Sequence, residues 1–200
     1  MLFMRLFIAV LVLIFSIQSW TKADNISDFE IEGMSIGDSL LEHFSQKKIK
    51  NFVNYDNLPS DMKFRIAEFY SEKDYQMEVY EIMQVYYKPE DKKFKIFGLN
   101  GNLYCKNDSW CNKKYENIIE DVSKNFSNSN DAIRDELKHT DDKSGKSLVK
   151  IWRLELQNGY IIIRNTNWSE EVNYTDNVSV EFSTYEVNKW VSNNYGIGWN

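Results

Sequence analysis

The densest group of reactive side chains is Lys138-His139-Thr140-Asp141-Asp142-Lys143-Ser144-Gly145-Lys146-Ser147. Its chemistry would be proton transfer: His139 carries the proton, Asp141 or Asp142 orients the imidazole, and Lys146 and Ser147 donate to an anion, as a hydrolase would require. The ending Gly145-Lys146-Ser147 imitates a phosphate-binding loop. That motif needs a glycine five residues before Gly145, where Thr140 stands, and a strand ahead of it, which the pattern of residues 131–138 does not predict. The competing reading is a solvated loop between a helix and a strand, turning at Gly145. Trp110 and Trp168, each beside a polar turn, offer a different chemistry, since an indole can stack on a sugar ring or on a partner's side chain. The alternative for both is a place in the core.

Other groups carry less. His43 lies beside an apolar helical stripe with no spaced partner, and Glu170, Glu171 and Asp176 lack the alternating oxygen spacing of a calcium loop. No serine or cysteine sits in a nucleophile motif. Cys105 and Cys111 are expected to form a disulfide that pins a strand end to the following helix, worth about 2 kcal/mol by loop-closure entropy. A redox pair is the alternative, but the two-residue gap of thioredoxin-like motifs is absent. A metal pair is disfavoured because the two histidines, His43 and His139, are distant in sequence. Neither a cofactor nor a metal is expected.

The elements that must position these groups read as α+β. Ser35 caps a first helix, with Asp38 at the capping-box position and Ile36, Leu40, Leu41 and Phe44 at helical spacing. Residues 51–60 form a loop, and the pattern from Met62 fits a short strand or a helix. A strand follows over residues 77–87 and a second over 94–99. Asn100-Gly101 is then a two-residue hairpin turn into a third, over 102–105. Asp108 or Ser109 caps the clearest amphipathic helix, in which Cys111, Tyr115, Ile118, Ile119, Val122 and Phe126 share a face. A short helix holds Ile133 and Leu137. Strands over 148–156 and 160–164 are joined by Asn158-Gly159, a last strand holds Val178, Val180 and Phe182, and Thr184 caps a terminal helix with Val187, Trp190 and Val191 inward. The expected fold is an antiparallel meander packed against two to four helices, in one domain spanning residues 24–200.

Arg5 precedes a twelve-residue apolar run, Leu6 to Ile17, that ends in Thr21-Lys22-Ala23. This reads as a cleaved export signal over residues 1–23, too short for a span of about 20 residues. A soluble periplasmic or secreted product with no membrane span is expected. Of 24 basic residues, Arg5 and Lys22 fall in that segment; against 30 acidic ones the remainder carries a charge of about −8. Nucleic acid is a poor partner for such a surface. The lysines at 47, 48 and 50 and at 92, 93 and 95 are interleaved with apolar residues and read as solvated faces. Asn-x-Ser/Thr sites stand at Asn25, Asn107, Asn125, Asn167, Asn173 and Asn177, and read as chance in an Asn- and Ser-rich chain.

Residues 28–45 (DFEIEGMSIGDSLLEHFS), Ser144-Gly145-Lys146-Ser147 before a strand and Asn167-Trp168-Ser169-Glu170-Glu171 after one resemble a family of small exported bacterial proteins without an assigned activity. The resemblance implies an exported single domain and no catalytic residue. More distantly, Ile31-Glu32-Gly33-Met34-Ser35 resembles the opening of outer-membrane assembly lipoproteins and β-lactamase-inhibitor-type domains, without their lipidated cysteine. That likeness implies helices against an antiparallel sheet, used as a protein-binding surface. The leading expectation is a non-enzymatic binding or interaction domain, its partner another envelope protein or a small ligand. The alternatives are a hydrolase built on His139 and Asp142 and a structural or stress-related envelope protein.

Overall fold

The computed structural model describes residues 25–52, 63–71, 73–126 and 129–195. The expected export signal and most of the expected loop at 51–60 lie outside them. Strands dominate an α+β architecture. A small hairpin, β1 (Glu30–Ile31) and β2 (Met34–Ser35), precedes a seven-stranded antiparallel sheet. That sheet comprises β3 (Arg65–Tyr70), β4 (Ile82–Tyr87), β5 (Ile96–Tyr104), β6 (Ile133–Lys138), β7 (Leu148–Leu156), β8 (Gly159–Asn167) and β9 (Asn177–Thr184), in the order β3-β4-β5-β9-β8-β7-β6. The helices are α1 (Gln46–Asn51), α2 (Asp108–Ser123) and α3 (Tyr185–Tyr195).

Alternation along the strands divides the sheet into two faces. One face buries Ala67, Phe69, Met83, Val85, Leu99, Trp152, Leu154, Ile161, Ile163, Val178, Val180 and Phe182 beneath α2, α1 and the N-terminal segment. The amphipathic reading of α2 is correct, since Cys111, Tyr115 and Ile119 are buried in this core, but the cap is Asn107 rather than Asp108 or Ser109, its side chain accepting from the Trp110 N–H at 2.9 Å. The opposite face takes α3, whose Val187 and Trp190 pack with Phe64, Ile66 and Tyr86. Thr184 caps α3 as expected, its Oγ1 accepting from the Val187 N–H at 3.3 Å.

Other expectations are also overturned, and the strand expected over 77–87 begins only at Ile82. Residues 36–44 do not form the expected α-helix: Gly37 at φ +105° breaks it, and only a single 3-10 turn, Leu40–Glu42, capped by Ser39, remains. Asp38 does make the capping-box bond, accepting from the Ser35 N–H at 2.8 Å, but the backbone there is tied to the start of β5 through Gly37 N–H to Ile96 O and Ile96 N–H to Asp38 O. Asn100-Gly101 is not a turn but the middle of β5. A Cβ on Gly101 would lie 2.7 Å from Tyr80 Cδ1, so glycine is required there by the ring packed on the strand. Ile133 and Leu137 stand on an edge strand, β6, rather than on a helix, and the 139–147 loop therefore joins two strands.

The β1–β2 turn positions a wall of the cavity described below. Glu32 and Gly33 both adopt left-handed backbone, at φ +53° and +78°, as a two-residue hairpin turn requires. This aims the Glu32 carboxylate at the backbone of residues 78–80. It accepts from the N–H groups of Glu78 (2.8 Å), Val79 (2.7 Å) and Tyr80 (3.0 Å).

Candidate functional site

Register places the chemically rich segments at one end of the sheet. Lys138 pairs with Leu148, Leu148 with Asn167, Thr166 with Asn177 and Asn177 with Tyr104, so the 139–147 loop, the 168–176 loop and the β5–α2 connection emerge at one end of the sheet. The Cys105–Cys111 disulfide closes that connection and ties β5 to the first turn of α2.

Within this cluster, the three polar residues singled out by the sequence face different partners. Asp142 is buried and saturated: its Oδ2 accepts from Ser147 N–H (2.8 Å), Ser147 Oγ (2.7 Å) and Ser169 Oγ (2.9 Å), and its Oδ1 from Ser144 N–H (2.8 Å). Hydrogen bonds from Ser147 and Ser144 hold its carboxyl far below the usual carboxylate range, which makes it a fixed anion that welds two loops together rather than a proton acceptor. His139 Nδ1 accepts from the Asp141 N–H at 3.2 Å, which leaves the proton of the neutral ring on Nε2. Burial lowers its pKa, against the nearby charge of Asp141 and with that of Arg164. Lys146 Nζ pairs with Glu171. Asp142 meets His139 through its backbone N–H, which donates to the His139 carbonyl, while the Asp141 carboxylate, the other candidate to orient the imidazole, lies with Oδ2 4.0 Å from His139 Nδ1.

The two tryptophans also part. Trp168 is half-buried between the His139 ring, 4.1 Å away, and Tyr174, which meets it edge-to-face at 4.8 Å. Trp110 packs against the core on α2, with Lys106 over its ring. His43 reaches Tyr75, with Nδ1 3.4 Å from the hydroxyl.

A separate cavity lies on the α2 side of the sheet. It is a groove of about 620 Å3 whose floor is Val180 and Phe182 of β9, with Ile118 and Val122 of α2 on one side and Phe29 and Ile31 on the other. Its walls carry Glu30, Glu32, Glu78 and Asp121, and no described lining residue is basic. Asp121 is paired with Lys124, at the C-terminal end of α2, whose ammonium lies 3.2 Å from Asp121 Oδ1 and 3.0 Å from Glu120 Oε1. Tyr80 stands in the wall with its hydroxyl pushed up to about 12, by burial first and by the Glu32 charge second. Apolar floor, acidic walls and a volume within the usual range of about 300–1,000 Å3 give a site for a ligand with an apolar body and cationic ends.

Sequence reasoning missed a third constellation, a polar row across the other face of the sheet. Glu68 Oε2 accepts from Gln84 Nε2 at 2.7 Å, Gln84 Oε1 from Asn100 Nδ2 at 3.0 Å, and Glu181, opposite Asn100 in register, binds Arg164 Nη1 at 2.7 Å. Asn100 Oδ1 is buried without a hydrogen-bond partner. The available signal was the alternation that puts Glu68, Gln84 and Asn100 on one face, and the turn reading of Asn100-Gly101 concealed it.

Among the described residues no group of three or more His, Cys, Asp or Glu side chains could hold a metal ion, and no helix is long and apolar enough to cross a membrane. Comparison with family models, curated proteins and solved structures found no match for this chain.

Proposed function

We propose that this protein is an exported, non-enzymatic interaction domain that seats a basic, amphipathic polypeptide segment in the groove between α2 and the β1–β2 hairpin. The observation that carries the reading is the pairing of an apolar floor with Glu30, Glu32, Glu78 and Asp121, unopposed by any described basic lining residue. A helical or extended segment would place apolar side chains against Ile118, Val122 and Phe182 and set lysines or arginines toward the carboxylates. The resemblance of residues 31–35 to envelope domains that bind proteins points the same way, because Ile31, Glu32 and Gly33 line this groove. Support for a binding role over hydrolysis comes from the His139 loop, where Asp142 and Lys146 are each engaged away from the imidazole.

The test is calorimetric titration of the purified protein with a synthetic amphipathic Leu/Lys peptide and with its Leu/Glu counterpart. Saturable binding of the lysine peptide alone is the expected result. Absence of binding, or equal binding of both peptides, overturns the proposal.

A further inference from the structure

We infer that the loop end of the sheet is a second, independent binding site and that it takes a neutral saccharide. A cleft of about 510 Å3 opens there, between the β5–α2 connection and the 168–176 loop. A sugar presents two chemistries together, a flat patch of C–H groups and a rim of hydroxyls that both donate and accept. The cleft answers both. Tyr174 is 62% exposed, an aromatic ring offered to solvent, and Trp168 meets it edge-to-face at 4.8 Å to form a corner. The His139 ring, 4.1 Å behind Trp168, fixes the indole in place.

Around this corner stand Asn107, Glu170 and Asn173, planar amide and carboxylate groups of the kind that bind vicinal hydroxyls. The side chains of Glu170 and Asn173 and the Tyr174 hydroxyl have no hydrogen-bond partner among the described residues, so their bonding capacity is unspent. The loop that carries them is pinned. Trp168 N–H donates to Asp176 Oδ1 at 2.7 Å, Ser169 N–H to Ser147 Oγ at 2.9 Å, and Ser169 Oγ to the buried Asp142 at 2.9 Å. A rigid loop that holds an aromatic ring in water is pre-organised for a ligand that covers it. Charge narrows the class. Glu170 and Asp176 line the cleft against a single cation, Lys106, which lies over the Trp110 ring, so phosphorylated or sulfated sugars and nucleotides meet net repulsion.

The experiment is an amide-resolved NMR titration of the purified protein with chito-, xylo- and malto-oligosaccharides and, as a contrast, a polyproline peptide. The expected result is saturable shifts with at least one saccharide, confined to residues 105–107 and 168–176. Tyr174→Ala should weaken that binding about tenfold while leaving the amide spectrum outside residues 168–176 unchanged, which shows that the fold is retained. Residues 29–33 and 118–125, which line the groove, should stay unshifted, so this result is separable from peptide binding. Three outcomes overturn the inference: no shift with any saccharide, shifts with polyproline only, or saccharide binding that Tyr174→Ala leaves intact.

Discussion

Replacing Glu32 by glycine tests how the groove is built, because Glu32 is at once strained and bonded. A non-glycine residue at φ +53° costs about 1 kcal/mol, which Glu32→Gly would recover. Against that, three backbone N–H groups at 2.7–3.0 Å lose their carboxylate acceptor. At about 1 kcal/mol each for solvent-accessible bonds, the loss is about 3 kcal/mol and the net destabilisation about 2 kcal/mol. For a chain of this size that lowers the thermal midpoint by about 4–8 °C. The local effect should exceed the global one: amide hydrogen exchange at Glu78, Val79 and Tyr80 should accelerate strongly, while exchange in β8 and β9 changes only by the global amount. Glu32→Gln, which keeps one acceptor oxygen, should fall between. If Glu32→Gly leaves exchange at residues 78–80 unchanged and the midpoint unmoved, the carboxylate does not hold that wall and the account of the groove's construction fails.

Glu181→Gln should destabilise by about 3 kcal/mol, since it leaves Arg164, only 17% exposed, without its counter-charge; Arg164→Met/Glu181→Leu should recover most of the loss, and a denaturant-melt cycle measures both. Replacing Cys105 and Cys111 together by serine should cost about 2 kcal/mol in the same assay, with the far-UV spectrum retained. Acidification should weaken the fold in two windows. The pKa of His139 is lowered by folding, so the unfolded chain takes up its proton first; stability is complete above about pH 6.5 and declines as pH falls through and below that value. Asp142, also lowered by folding, contributes stability that is present above about pH 3.9 and lost as pH falls further, and Asp142→Asn should shrink this lower phase, to which Glu116 and Glu186 also contribute, in melts recorded across pH.

Local patterns in the sequence made much of the fold legible where they agreed with tertiary packing. The apolar stripe of α2, the β7–β8 hairpin, the Thr184 cap and the Cys105–Cys111 bond are all local features, and the structure contains each of them. The failures have distinct causes. Ile133 and Leu137 are four apart, a spacing that puts two residues on one face of either a helix or a strand, so the pattern could not decide. Asn100-Gly101 has turn chemistry, but its glycine answers to the Tyr80 ring, twenty-one residues back in the chain. His139 and Trp168 were each recognised as reactive, yet their ring contact depends on two loops meeting at a sheet end. The groove was illegible for the same reason, since Glu30, Glu78, Asp121 and Phe182 come from four segments that only the folded chain brings together.

The most direct test of the binding account is a charge exchange in the groove. Glu30→Lys/Glu78→Lys/Asp121→Lys leaves the apolar floor and the Glu32 bonds in place while inverting the walls, so its preference should invert too. The account predicts that the wild-type protein binds the Leu/Lys peptide and the triple variant binds the Leu/Glu peptide, both with affinities that fall as salt rises. A triple variant that folds and still prefers the lysine peptide would contradict it.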